Sequence, residues 1–158
     1  MAGMQTDILG RPVAGFFRRV VATAVDTVVL LMISSVVLVG FWLSPLQIFG
    51  HLSIWWLFTG GLLWGQVLTA SIRGIYFISC WMLRSQTIGN RAAFTLVVDR
   101  RSGRPVTLWQ ATIRFLVQFG FHLIPALGPC VDNLWSLVSA DRQTLHDKAA
   151  KTVVVCMR

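Results

Sequence analysis

The run from Val20 to Leu43, VVATAVDTVVLLMISSVVLVGFWL, is 24 residues long and holds one ionisable side chain, Asp26. About 20 apolar residues in helical form cross the hydrocarbon core of a bilayer, so this run predicts a transmembrane helix. A chain with such a helix folds in and against a membrane rather than around one soluble core. Arg19 precedes Asp26 by seven residues, nearly two turns, which puts both on one helix face about 10 Å apart along the axis. A carboxylate at that depth costs from about 2.5 kcal/mol upward and normally faces protein or a wet cavity. Two roles fit Asp26: a working group, or one half of a structural ion pair that locks helices together.

Charge supports the membrane reading. The 158 residues carry a formal net charge of +8; all six acids are Asp, and twelve of the fourteen bases are Arg. These bases lie scattered between apolar segments instead of gathering on one soluble face, which argues against a nucleic-acid binder. Basic residues beside apolar spans act as cytoplasmic anchors and attract anionic lipid, so the lipid bilayer is the expected partner. The N-terminal MAGMQTDILGRPVAGFF lacks the layout of a secretory signal, and the first helix is expected to stay in the mature protein. Cys80, Cys130 and Cys156 have no CxxC spacing and read as small packing residues. Trp42, Trp55, Trp56, Trp81, Trp109 and Trp135 fall near segment ends, as an interfacial belt would.

A second apolar stretch, Ser53 to Leu83, contains one charge, Arg73, and could bend at Gly60, Gly61 and Gly65. Arg11, Arg18 and Arg19 precede the first stretch, and Arg84, Arg91, Arg100, Arg101 and Arg104 follow the second. The positive-inside bias therefore places both segments in the cytoplasm and the short loop Ser44 to Leu52 outside. FTLVV (94–98) and Val106 to Leu108 flank a Gly and Pro turn, predicting a hairpin at about 92–108. The terminal TVVVCMR is also strand-like, and its pairing with FTLVV would make a sturdier sheet than a lone hairpin. In TLWQATIRFLVQFGFHL, Gln110, Arg114, Gln118 and His122 recur every four residues as a polar stripe. PALGP then breaks that helix. The fold class expected is an α-helical integral membrane protein. It has two full transmembrane helices at about 20–43 and 55–83, a broken helical pair at about 108–139 that returns or lies in the interface, a small cytoplasmic β-sheet, and a cytoplasmic tail at 140–158.

The elements GFFRRVVATAVD, RSQTIGNRAAFTLVVD, ATIRFLV and RQTLHDKAAKTVVV together resemble the RDD family of bacterial membrane proteins, named for one Arg and two Asp. The resemblance spans nearly the whole chain and implies that Arg19 is the Arg, Asp26 the first Asp and Asp147 the second. Asn90 and Arg91 replace a more usual Lys-Arg pair, and Lys151 stands where Gly is common. The implied location is the bacterial inner membrane, multi-pass, with both termini cytoplasmic.

Two basic partners are open for Asp26. Arg73 lies eleven residues before Arg84, about 16 Å deeper along its helix, and Arg114 belongs to the polar stripe. Mutual pairing would relieve the cost of either buried charge. Asp147 is expected to be structural, tying the tail to the turn around Thr87 to Arg91. His146 is adjacent to Asp147, but no nucleophile with an oriented base is visible, so no catalytic residue is assigned and the chain is not expected to be an enzyme. His51 and His122 lack metal spacing, Gly89 is a lone glycine rather than a phosphate loop, and no metal or cofactor is expected. The charge network of Arg19, Asp26, Arg73, Arg114 and Asp147 is compatible with two functions. One is a membrane adaptor or accessory subunit with a membrane-protein partner. The other is a small homo-oligomeric ion-coupled transporter using Asp26.

Overall fold

The computed structural model describes residues 6–7, 9–42, 62–122, 127–139 and 141–157. The expected outer loop 44–52, His51 and the start of the second apolar stretch lie outside the described residues. In chain order the elements are α1 (Phe16–Trp42), α2 (Leu62–Arg84), α3 (Ile88–Ala92), β1 (Thr95–Asp99), α4 (Leu108–His122), α5 (Leu127–Val138), α6 (Leu145–Ala150) and β2 (Thr152–Cys156). The architecture is mostly helical with one small sheet. Among the described residues, Phe16–Gly40 is long and apolar enough to cross a membrane, with a mean hydropathy of 2.2 over its most apolar part. The chain divides into two compact units, residues 27–76 and residues 1–26 with 77–158.

The 27–76 unit contains the later part of α1 and the earlier part of α2. Val28, Leu31, Val36 and Val39 are exposed along α1, while Leu30 and Ser34 are buried. A methyl at Gly65 would touch Leu38 at 3.8 Å, so the two helices approach each other there. Hydroxyls in this unit return to their own helices: Ser35 donates to the Met32 carbonyl, Thr69 to Gly65 and Ser71 to Val67. That leaves no polar demand at these positions for an apolar surrounding to meet.

In the other unit β1 and β2 pair antiparallel, with Thr95 opposite Cys156, Val97 opposite Val154 and Asp99 opposite Thr152. The expected hairpin partner at 106–108 is corrected: the second arm reduces to a single bridge between Val98 and Pro105. The Asp99 carboxylate accepts from the backbone N–H groups of Arg101 and Ser102 and from the Ser102 hydroxyl, and Gly103 adopts a φ of +66°. This turn chemistry folds the chain back too sharply for a long second strand. The other side of β2 is covered instead by the N-terminal segment. Val13 bridges Val155, Ala14 N–H donates to the Val154 carbonyl, and Cys156 N–H donates to that of Pro12.

Local sequence sets the helix starts. Thr107 and Gln110 form a reciprocal cap, each side chain accepting from the other's backbone N–H, at the head of α4. Thr144 and Asp147 form a capping box at the head of α6, which ends at Lys151 in the left-handed conformation. Ala14, Trp81, Val97, Val106, Ala111 and Val154 make the apolar core, which sits between β1–β2 and the helices α2 and α4.

Candidate functional site: a buried charge network

The most completely buried side chains of the 1–26 and 77–158 unit are mainly polar: Gln143, Thr95, Thr144, Thr152 and Asp147, alongside Val97 and Val155. Asp147 is their centre. Arg19 Nη1, near the start of α1, donates to Oδ2, and Arg114 Nη1 on α4 donates to Oδ1. Arg114 Nη1 also reaches Thr152 Oγ1 at 2.9 Å, and Arg19 Nη2 donates to the Arg142 carbonyl at 3.0 Å. Burial, the largest influence, pushes the Asp147 carboxyl up, but the Arg114 and Arg19 guanidiniums together hold it well below the usual carboxylate range. The side chain is therefore an anion inside the fold, shared by two cations and by the cap of α6. The Arg114 guanidinium lies over the Trp81 ring, 4.8 Å from its centroid.

Asp26 serves a different element. Its Oδ2 accepts from Thr87 Oγ1 at 2.6 Å and its Oδ1 from Gly89 N–H at 2.8 Å. Thr87 is also the N-cap of α3, accepting from Asn90 N–H at 3.0 Å. Gly89 is required by this approach: a Cβ there would stand 2.0 Å from the Ala22 carbonyl and 2.7 Å from the Asp26 carboxylate.

These contacts exchange the partners expected from sequence. The turn at Thr87 to Arg91 is held by Asp26 rather than Asp147, and the carboxylate of Arg114 is Asp147 rather than Asp26. The reason is local: a carboxylate beside the exposed N–H groups of a helix start is stabilised by them. Meanwhile α6 carries Asp147 to α1 and α4 together. Arg73 falls in the 27–76 unit. Within the polar stripe, Gln110 donates to Asp99 at 3.0 Å and Arg114 joins Asp147.

One member went unrecognised in the sequence. Asp132 on α5 pairs with His146 Nδ1 and accepts from His146 N–H at 3.2 Å, while His146 Nε2 meets Thr144 Oγ1 at 3.1 Å. The signal was a lone acid in the amphipathic segment CVDNLW, with an imidazole ahead in LHDK. Among the described residues, no group of three or more His, Cys, Asp or Glu is placed to hold a metal ion.

Beside the network lies a cavity of about 50 Å³, its wall including Arg19, Asp26, Trp81, Arg114 and His146. Trp81 Nε1 and Arg114 Nε are buried and have no hydrogen-bond partner among the described residues. Both are donors only, so an acceptor suits that wall.

An apolar helix fit to span a bilayer, joined to a polar module cross-linked by one Arg–Asp–Arg cluster, defines a small membrane-associated protein. Compared with known protein families, residues 13–151 match the RDD family, and the chain belongs to it. Comparison with curated proteins and with solved structures gives no match.

Proposed function

We propose that this RDD protein is a membrane adaptor or accessory subunit, in which the buried charges build the module that a partner meets. The observation that supports this most is the engagement of both family acids. Asp147 is shared by Arg19 and Arg114, and Asp26 accepts from Thr87 and Gly89. A coupling carboxylate must release its partners to take up a proton, whereas each of these carboxylates holds an element in place. In this reading both α1 and α2 cross the inner membrane, α4 and α5 form the broken pair, and the β1–β2 module and both termini face the cytoplasm. The basic flanks Arg18–Arg19 and Arg84–Arg104 support that orientation.

The alternative is an oligomeric ion-coupled transporter using Asp26, and the observation that favours it is the polar cavity beside Asp26 and Arg114. Proteoliposome flux separates the two. The adaptor reading expects no cation-dependent flux above that of empty vesicles. Flux lost in Asp26→Asn, with the melting temperature retained, would replace it by the transporter reading. Reporter fusions at 44–52 and after residue 157 test the topology, and a periplasmic reporter at the later site would refute it.

A further inference from the structure

We propose that the recess rimmed by Arg100, Arg101, Lys148 and Lys151 binds a phosphate group, carried either by an anionic lipid headgroup or by a free phosphate compound. The recess has a volume of about 430 Å³ and is lined by these four residues and Gln143. That volume falls in the range of small-molecule sites. The inference stands apart from the adaptor reading, since it rests on this surface alone.

The rim is fixed rather than a loose collection of basic side chains. Arg100 N–H donates to the Lys151 carbonyl at 3.0 Å, which ties the end of β1 to the end of α6. Lys151 is held in the left-handed cap, its N–H on the Lys148 carbonyl at 3.2 Å. Gln143, almost wholly buried, donates to the Thr152 carbonyl and accepts from Arg100 Nη1 at 2.9 Å, which aims that guanidinium. The fold therefore gathers four basic residues around one hollow, with Arg100 paired to Asp141 and the Lys148 ammonium 5.8 Å from the Trp135 ring centroid, and their like charges raise the local potential for an anion.

Among the described residues, Arg100 alone of these four has an acid partner. Asp7 pairs with Arg11, Asp26 caps α3, Asp99 closes the turn, Asp132 pairs with His146, and Asp147 joins Arg19 and Arg114. Asp141 is engaged by Arg100 at 2.9 Å and does not line the recess. Arg101, Lys148 and Lys151 have no ion pair among the described residues. A multiply charged oxyanion with several acceptor oxygens is the chemistry that answers a guanidinium and two ammonium groups together.

The test compares two variants of the full chain, each lacking two positive charges. Lys148→Gln/Lys151→Asn alters the recess, with Asn chosen because it tolerates the left-handed cap. Arg84→Gln/Arg91→Gln alters exposed bases elsewhere. Pyrophosphate binding is measured by calorimetry in neutral phosphatidylcholine nanodiscs, and retained phosphatidylglycerol is counted by native mass spectrometry from mixed nanodiscs. The recess variant should lose about tenfold in affinity for the probe that binds, with a clearly smaller loss in the control, whose bases flank the apolar helices. Loss of pyrophosphate binding assigns a free phosphate ligand, loss of phosphatidylglycerol alone assigns a headgroup, and loss of both assigns a site open to either. Binding of neither probe, or equal loss in both variants, overturns the proposal. Should the double variant melt early, Arg101→Gln against Arg84→Gln makes the same comparison with one charge.

Discussion

Helix α1 is one continuous helix that buries charge in its first turns and none among the described residues beyond them. In its first turns, up to Asp26, the buried side chains are Arg19, Ala22 and Asp26, and the polar ones anchor other elements. Beyond Thr27 the buried side chains are Leu30 and Ser34, and long aliphatic side chains stand exposed, Val36 at 74% and Leu31 at 63%. A helix in water would turn those residues inward. The contrast shows a chain that uses charge where it must specify contacts and aliphatic surface along a run apolar enough to cross a membrane. The two acids of the network repeat the lesson more finely: Asp147 balances two buried cations, whereas Asp26 is held by a hydroxyl and a backbone N–H.

The sharpest way to break the contrast is Asp147→Asn. It leaves two buried guanidiniums without their counter-charge, and losing one side of such a cluster costs about 3–5 kcal/mol. Thermal unfolding in detergent should show a large drop in melting temperature, larger than that of any substitution at Asp26. A smaller drop than for Asp26→Asn would reverse the ranking of the two acids.

The same interaction fixes a pH dependence. The folded Asp147 carboxyl lies below its ordinary value of 3.8, so its contribution is complete above that value and declines as the medium is acidified below it. Melting temperatures taken from pH 7 down to 3 should fall at the acid end, and less steeply in Asp147→Asn. Parallel curves for the two proteins would assign the acid sensitivity to other carboxylates.

Asp26→Asn keeps one acceptor and loses a charged one, with an expected cost of about 1.5–3 kcal/mol. Gly89→Ala forces a methyl against the Ala22 carbonyl and the Asp26 carboxylate and should cost about 1–3 kcal/mol through the same contact. The double variant should fall short of the sum of the two, because the sites share one contact. Full additivity would separate Asp26 from α3. Last comes Val36→Ala on the exposed stretch, expected within about 0.5 kcal/mol of wild type. A loss as large as that of Gly89→Ala would show that this face is packed against something.

Much of this contrast was legible in the sequence. A run like Val20–Leu43 has few foldable alternatives, and FTLVV and TVVVC are β-branched enough to be read as strands and as partners. The N-terminal cover on β2 was not legible, because Pro12 to Ala14 carries no strand pattern and pairs only through its backbone. Asp26 and Arg114 stood out as charges within apolar segments, Arg19 as the base at the head of the first, and Asp147 through the family resemblance. Which acid meets which base did not follow, since exchanging Asp26 for Asp147 leaves composition and periodicity untouched. The decision rests on where helix starts fall, and a single threonine before Ile88 or Leu145 marks both in the same way. Asp132 carries no signal of its own, because its partner His146 lies beyond the helix that carries it.

The position of Asp147 along the chain also gives synthesis an order. Arg19 is translated 128 residues before the carboxylate that balances it, and Arg114 33 residues before. From residue 19 onward the nascent protein thus carries one arginine destined for burial, and from residue 114 two, before Asp147 supplies their counter-charge, with β1 still lacking β2. The ribosome delivers the latch after both of its arginines, so the earlier helices wait for it in an unfinished state. A stalled or prematurely ended chain would keep its hydrophobic anchor and lose its closure, which is the form a quality-control protease could recognise.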